Sequence, residues 1–184
     1  KTSVAVNLAT AFVAQNKKVL LIDANFRQPT LKRIFPRTAA EDSEAGSFDF
    51  GLSSVLTNQC GYQDVIRHTG IDGFDVIDSG PLPSNPTELL ASQRMEDLLK
   101  GQRKIYDHVV VDSAPVLLVS DAKVLAKVTD ATVLVFNAAA TRRGAARRTI
   151  SELREVGANV VGCVLFAVKA LKGGYFHERF KSYQ

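Results

Sequence analysis

The chain has 184 residues, 46% of them hydrophobic and 23% charged, which fits one globular domain and excludes a disordered or collagen-like polymer. Lys and Arg number 23 against 19 Asp and Glu, a net charge of +4 that allows an anionic partner without demanding one. Two cysteines, Cys60 and Cys163, and three histidines without ligand spacing exclude a disulfide framework or a structural zinc site and suit a reducing compartment.

The chain opens on a helix, because Val4, Leu8 and Phe12, with Ala5, Ala9 and Val13 beside them, recur at helical spacing. Residues 18–23, KVLLID, form a continuous apolar run ending in an acid, as expected of a parallel strand covered by helices on both faces. Residues 37–51 are polar, small and acidic, and read as a surface loop. Similar apolar runs follow at 74–78, 108–112, 131–137 and 160–168. Between them, Asn85-Pro86-Thr87-Glu88 reads as a capped helix start, predicting a helix to about Lys100 that Gly101 ends. Another helix is expected from near Arg143 to Gly157. This alternation predicts a doubly wound α/β fold, a mostly parallel sheet flanked by helices. No linker divides residues 1–168, and residues 169–184 read as a tail opened by Gly173-Gly174. No apolar run approaches the ~20 residues of a transmembrane helix, and none reads as a signal peptide.

In open α/β sheets ligands bind beyond the carboxyl ends of the strands, so the residues that close each apolar run matter most. Asp23 follows VLLI and Asp112 follows HVVV. A single acid of this kind is ordinarily a turn or cap residue. Two of them, near the start of a helix, point toward a metal or phosphate site. Lys1-Thr2 stands directly before the first helix, where the motif G-x-x-x-x-G-K-[ST] ends. In that motif glycine amides cradle phosphates, the Lys reaches the β- and γ-groups and the hydroxyl meets Mg2+. Only its last two positions occur here, so a glycine-rich segment is expected to precede Lys1 in the native protein.

KTSVAVNLATAF, VLLIDANFRQP, GPLPSNPTELLASQRM and VVVDSAPVLLVSDA, in this order and spacing, resemble the bacterial tyrosine kinases of capsule and exopolysaccharide synthesis. The resemblance spans nearly the whole chain and implies a P-loop NTPase-like fold of the deviant-Walker group. It implies an ATP-dependent protein-tyrosine autokinase using Mg2+. Carried over by position, Lys1 and Thr2 end the Walker A motif, Asp23 is the acid of Walker A′ and Asp112 that of Walker B. Lys1, Asp23 and Asp112 are then the catalytic set, Lys1, Thr2 and Phe166 the nucleotide contacts, and Thr2, Asp23 and Asp112 the metal ligands. Asp23→Ala and Asp112→Ala are each expected to lose transfer and keep the fold. Tyr175 and Tyr183 in the tail are the candidate phosphoacceptors, against the alternative of an ordinary frayed terminus. The resemblance further implies a membrane-anchored polysaccharide chain-length or adaptor partner, homo-oligomerisation, no nucleic acid, and a cytoplasmic position at the inner face of the membrane. A transmembrane segment or partner outside this chain would supply that position.

Three positions depart from the family pattern. Asn25 stands where a second Walker A′ acid is usual, and an amide supplies neither a base nor a negative charge. Phe166 stands where relatives often carry an Asn near the adenine, and the terminal tyrosine cluster is sparse. These departures keep two other functions open: a nucleotide-switched positioning ATPase without a protein substrate, and a non-catalytic scaffold. Arg27, following Walker A′, reads as a surface pairing residue, Asp121 as an N-cap, and Lys123 with Lys127 as solvent-facing charges.

Overall fold

The computed structural model describes residues 1–36 and 49–168. In chain order these form α1 (Thr2–Val13), β1 (Val19–Asp23), α2 (Leu31–Ile34), α3 (Leu52–Leu56), a 3-10 turn (Tyr62–Asp64), β2 (Ile66–His68) and β3 (Phe74–Ile77). There follow α4 (Pro86–Leu90), α5 (Gln93–Gln102), β4 (His108–Asp112), α6 (Asp121–Val128), β5 (Thr132–Asn137), α7 (Arg143–Glu155) and β6 (Val160–Phe166). The expected tail lies outside the described residues, as does most of the expected 37–51 loop.

β1 is the centre of the molecule. Its five residues are buried on both faces because each face has its own helical layer. Val19 and Leu21, with Phe74 and Val76, meet α1 and Leu31. Leu20 and Ile22 point the opposite way, into a core with Leu52, Leu90, Met95 and Leu125 from α3 to α6. The alternation follows from the period of a strand, and its two apolar faces are why KVLLID reads as a continuous run. The α/β reading therefore stands: β1 pairs in parallel with β3 and β4, inside a four-stranded sheet of order β2-β3-β1-β4.

Three details differ from the sequence reading. The strands form two sheets, since β5 and β6 pair in parallel with each other and share no ladder with β4 among the described residues. Apolar periodicity identifies strands but says nothing about which edges meet. β2 was hidden because IRH is three residues long and two of them are polar; it closes the sheet as an antiparallel edge on β3. The helix expected over 86–100 is two helices. Ser92 breaks it, its hydroxyl bonding the Leu89 carbonyl and accepting from the Met95 amide, so one helix ends and the next is capped at one residue. Gly101 consequently lies inside α5 rather than after it.

Candidate active site

The site is built where β1 and β4 end side by side. The parallel register carries through the last residues, so Asp23 and Asp112 are direct ladder neighbours, and the Ala24 amide bonds the Asp112 carbonyl at 2.8 Å. Both carboxylates are nearly out of solvent, at 1% and 4% exposure. Two acids that sequence separates by almost half the chain thus share one point at the sheet's carboxyl edge.

They are held differently. Asp23 is wrapped by its own loop: the Asn25 amide donates to Oδ1 at 3.0 Å, and the Thr30 and Leu31 amides donate to Oδ2 at 2.9 and 3.1 Å. Burial pushes its pKa above the ordinary aspartate value, these amides pull against that, and the neighbouring Asp112 charge adds to the rise. Asp112 instead faces α1, where the Thr2 hydroxyl donates to its Oδ2 at 2.5 Å. A bond this short leaves the Thr2 oxygen lone pairs facing away from the carboxylate.

Lys1 is the N-cap of α1, its carbonyl accepting from the Val4 and Ala5 amides at 2.9 and 3.0 Å. Its side chain lines an open cleft of ≈ 430 Å³ together with Thr2, Ser3, Thr30, Arg33 and Ile34. Two cations, three hydroxyls and the amide end of a 12-residue helix make this cleft suited to anionic oxygen. Among the described residues Lys1 makes no ion pair with either acid.

Thr30 is a residue that sequence reasoning missed. It precedes α2 and looks like a simple cap, yet its hydroxyl makes no cap bond and donates to Thr2 Oγ1 at 3.0 Å. The signal was present in Pro29-Thr30 ahead of a short helix, but spacing could not show where the hydroxyl would turn. Asn25 also takes an unforeseen role. It is 6% exposed and its side-chain amide donates to the Gln28 carbonyl at 2.9 Å, which shapes the Asp23 loop. An aspartate at this position has no proton to give that carbonyl.

The remaining candidates fall elsewhere. Phe166 ends β6, opposite Asn137 and 42% exposed, and is not among the residues lining the Lys1 cleft. Tyr175 and Tyr183 lie outside the described residues. Asp78, a further strand-end acid, is committed to Arg67 at 2.8 Å. Lys123, expected to face solvent, pairs with Glu152 at 3.1 Å.

The donor set fits a magnesium nucleotide. Mg2+ favours hard oxygens and commonly takes one or two carboxylates with phosphates and waters, which a hydroxyl and a carboxylate at one strand end can complement. Among the described residues there is no cluster of three His, Cys, Asp or Glu side chains that could cage a metal without such a substrate.

Comparison with known proteins gives the family of the chain. A family model described as an AAA domain matches residues 1–156. Tyrosine-protein kinase YwqD of Bacillus subtilis (strain 168) is 35% identical over 172 residues, covering 94% of this chain and 69% of YwqD. Tyrosine-protein kinase etk of Escherichia coli (strain K12) is 34% identical over 168 residues, 91% of this chain, which spans only 22% of that longer relative. The solved kinase domain of Escherichia coli tyrosine kinase ETK superposes with a TM-score of 0.83 at 34% identity, covering 95% of this chain and 66% of that one. An AAA-type match over most of the length and a kinase relative matched over more than two thirds of its own agree: the chain belongs to the bacterial tyrosine-protein kinases.

Proposed function

We infer that the protein transfers the γ-phosphoryl group of Mg·ATP to tyrosine hydroxyls, its own included, and that this phosphorylation regulates exopolysaccharide or capsule synthesis and export. The observation that carries the reading is the convergence of Thr2 and Asp112 at 2.5 Å beside Asp23 and the Lys1 cleft. In the transfer, a bond forms between the tyrosine oxygen and the γ-phosphorus while the bond from that phosphorus to the β-γ bridging oxygen breaks, releasing ADP. The phenolic proton goes to Asp23 or to solvent. Lys1 neutralises charge that develops on the transferred group, and the α1 amides orient the phosphates. Thr2 and Asp112 would hold Mg2+, which when bound would supply charge neutralisation and orientation of the phosphate oxygens. Asp23 already accepts three backbone bonds, which leaves it one acceptor position on Oδ1. Phe166 is proposed to stack on the adenine and Tyr175 and Tyr183 to accept phosphate.

No helix among the described residues is long and apolar enough to cross a membrane. We place the protein at the inner face of the membrane, as a homo-oligomer, through a membrane-anchored chain-length or adaptor protein or through a further segment of its own. Incubating the full-length protein with Mg·ATP tests the reading: phosphotyrosine appears on the protein. Steady phosphate release without phosphotyrosine would instead identify a nucleotide-switched ATPase.

A further inference from the structure

Asp121 has 0% exposure, although it was expected to be a helix cap. The cap position belongs to Ser120, and the Asp121 carboxylate instead joins two other segments of the chain. Its Oδ2 accepts from Arg27 Nε at 3.2 Å, and its Oδ1 accepts from the Thr87 hydroxyl at 2.5 Å. Each partner comes from a different crossing of the same sheet edge. Arg27 stands four residues beyond Asp23, in the loop after β1. Thr87 lies in α4, reached after β3, and Asp121 opens α6, reached after β4 and Asp112.

A carboxylate removed from water is stable only while its partners remain in place, so this one resists any separation of the three segments. One of those segments supplies the amides that hold Asp23, and another follows Asp112 after residues 113–120. The geometry points to Arg27 and Thr87 as positioning residues which, through Asp121, fix the Asp23 loop against the Asp112 strand and so set the alignment of the transfer site. This also gives a physical reason for the NPTELL and VSDA segments: Thr87 of the first and Asp121 of the second are the two ends of one hydrogen bond.

The inference rests on the kinase reading, and its test separates the two. Thr87→Val keeps shape but removes the donor, Thr87→Ser restores it, and Arg27→Met removes the charged partner. In the full-length protein, Thr87→Val and Arg27→Met are expected to lower kcat for tyrosine phosphorylation by about ten- to a hundredfold, the scale of a small misplacement of reacting groups. KM for ATP should move less than about threefold, because neither residue lines the nucleotide cleft. Thr87→Ser should return kcat to near the unsubstituted value. Hydrogen exchange of the Asn25, Thr30 and Leu31 amides reads the same tie without catalysis, and should quicken in Thr87→Val and Arg27→Met but not in Thr87→Ser. Unchanged exchange, or a Thr87→Ser protein as slow in turnover as Thr87→Val, would overturn the positioning role. An unsubstituted protein that forms no phosphotyrosine while its Thr87→Val form still quickens exchange would sink the kinase reading and leave the tie intact.

Discussion

Replacing Asp112 with Asn in the full-length protein is expected to lower tyrosine phosphorylation by at least about a hundredfold while leaving the melting temperature within about 4 °C. The side chain has one bond among the described residues, the hydrogen bond received from Thr2, and an amide oxygen can still accept it. The fold therefore loses little. The site loses the negative charge that accepts from Thr2, and with it the charge that would hold a hydrated metal beside the phosphates. The same change removes a like charge next to Asp23, so the Asp23 pKa falls back toward its ordinary value. Phosphotyrosine formation and thermal melting, measured on the same preparation, check both halves of this expectation.

Asp23→Ala is expected to behave differently, because the Asp23 carboxylate also holds its own loop. Three backbone amides that donate to its carboxylate lose their acceptor together. A buried donor left unpaired costs roughly 1–3 kcal/mol, so the variant should lose about 3 kcal/mol of stability or more as well as transfer activity. Asp23→Asn keeps one side-chain oxygen and should fall between alanine and the native protein. The pH dependence has a definite sign. Folding raises the Asp23 pKa above 3.8, so the folded state binds this proton more tightly than the unfolded chain does. Within the window between those values, the contribution of this group makes the native protein more stable as pH falls, and Asp23→Asn lacks that slope. Chemical denaturation across the acid range, compared between the native protein and Asp23→Asn, measures it. Phosphorylation should decline in the same window as the proposed base becomes protonated.

Much of the architecture was legible because buried parallel strands leave a plain signature. VLLID and HVVVD each end in an acid, and a parallel register brings those ends together once the strands pair as neighbours. The sequence could therefore nominate Asp23, Asp112 and Thr2; the proximity of the two acids followed from pairing, and the Thr2 hydroxyl reaches Asp112 from α1. What stayed hidden depends on where a polar side chain turns. Thr30 looks like a cap and bonds Thr2; Asp121 looks like a cap and bonds Arg27 and Thr87; Asn25 looks like a lost acid and donates to a carbonyl. Local spacing is blind to such choices, since each hydroxyl, amide or carboxylate has a near backbone partner that competes with the distant one. The short strand β2 was hidden for another reason: an edge strand of three residues buries too little to mark its sequence.

The most direct measurement is calorimetric titration of ATP into the full-length protein with and without Mg2+, repeated for Thr2→Ala and Asp112→Asn. A shared metal-triphosphate site requires that Mg2+ tighten binding to the native protein and that either substitution reduce this gain by about tenfold or more, with metal-free affinity little changed. An equal gain from Mg2+ in all three proteins would contradict the assignment of Thr2 and Asp112 to one site.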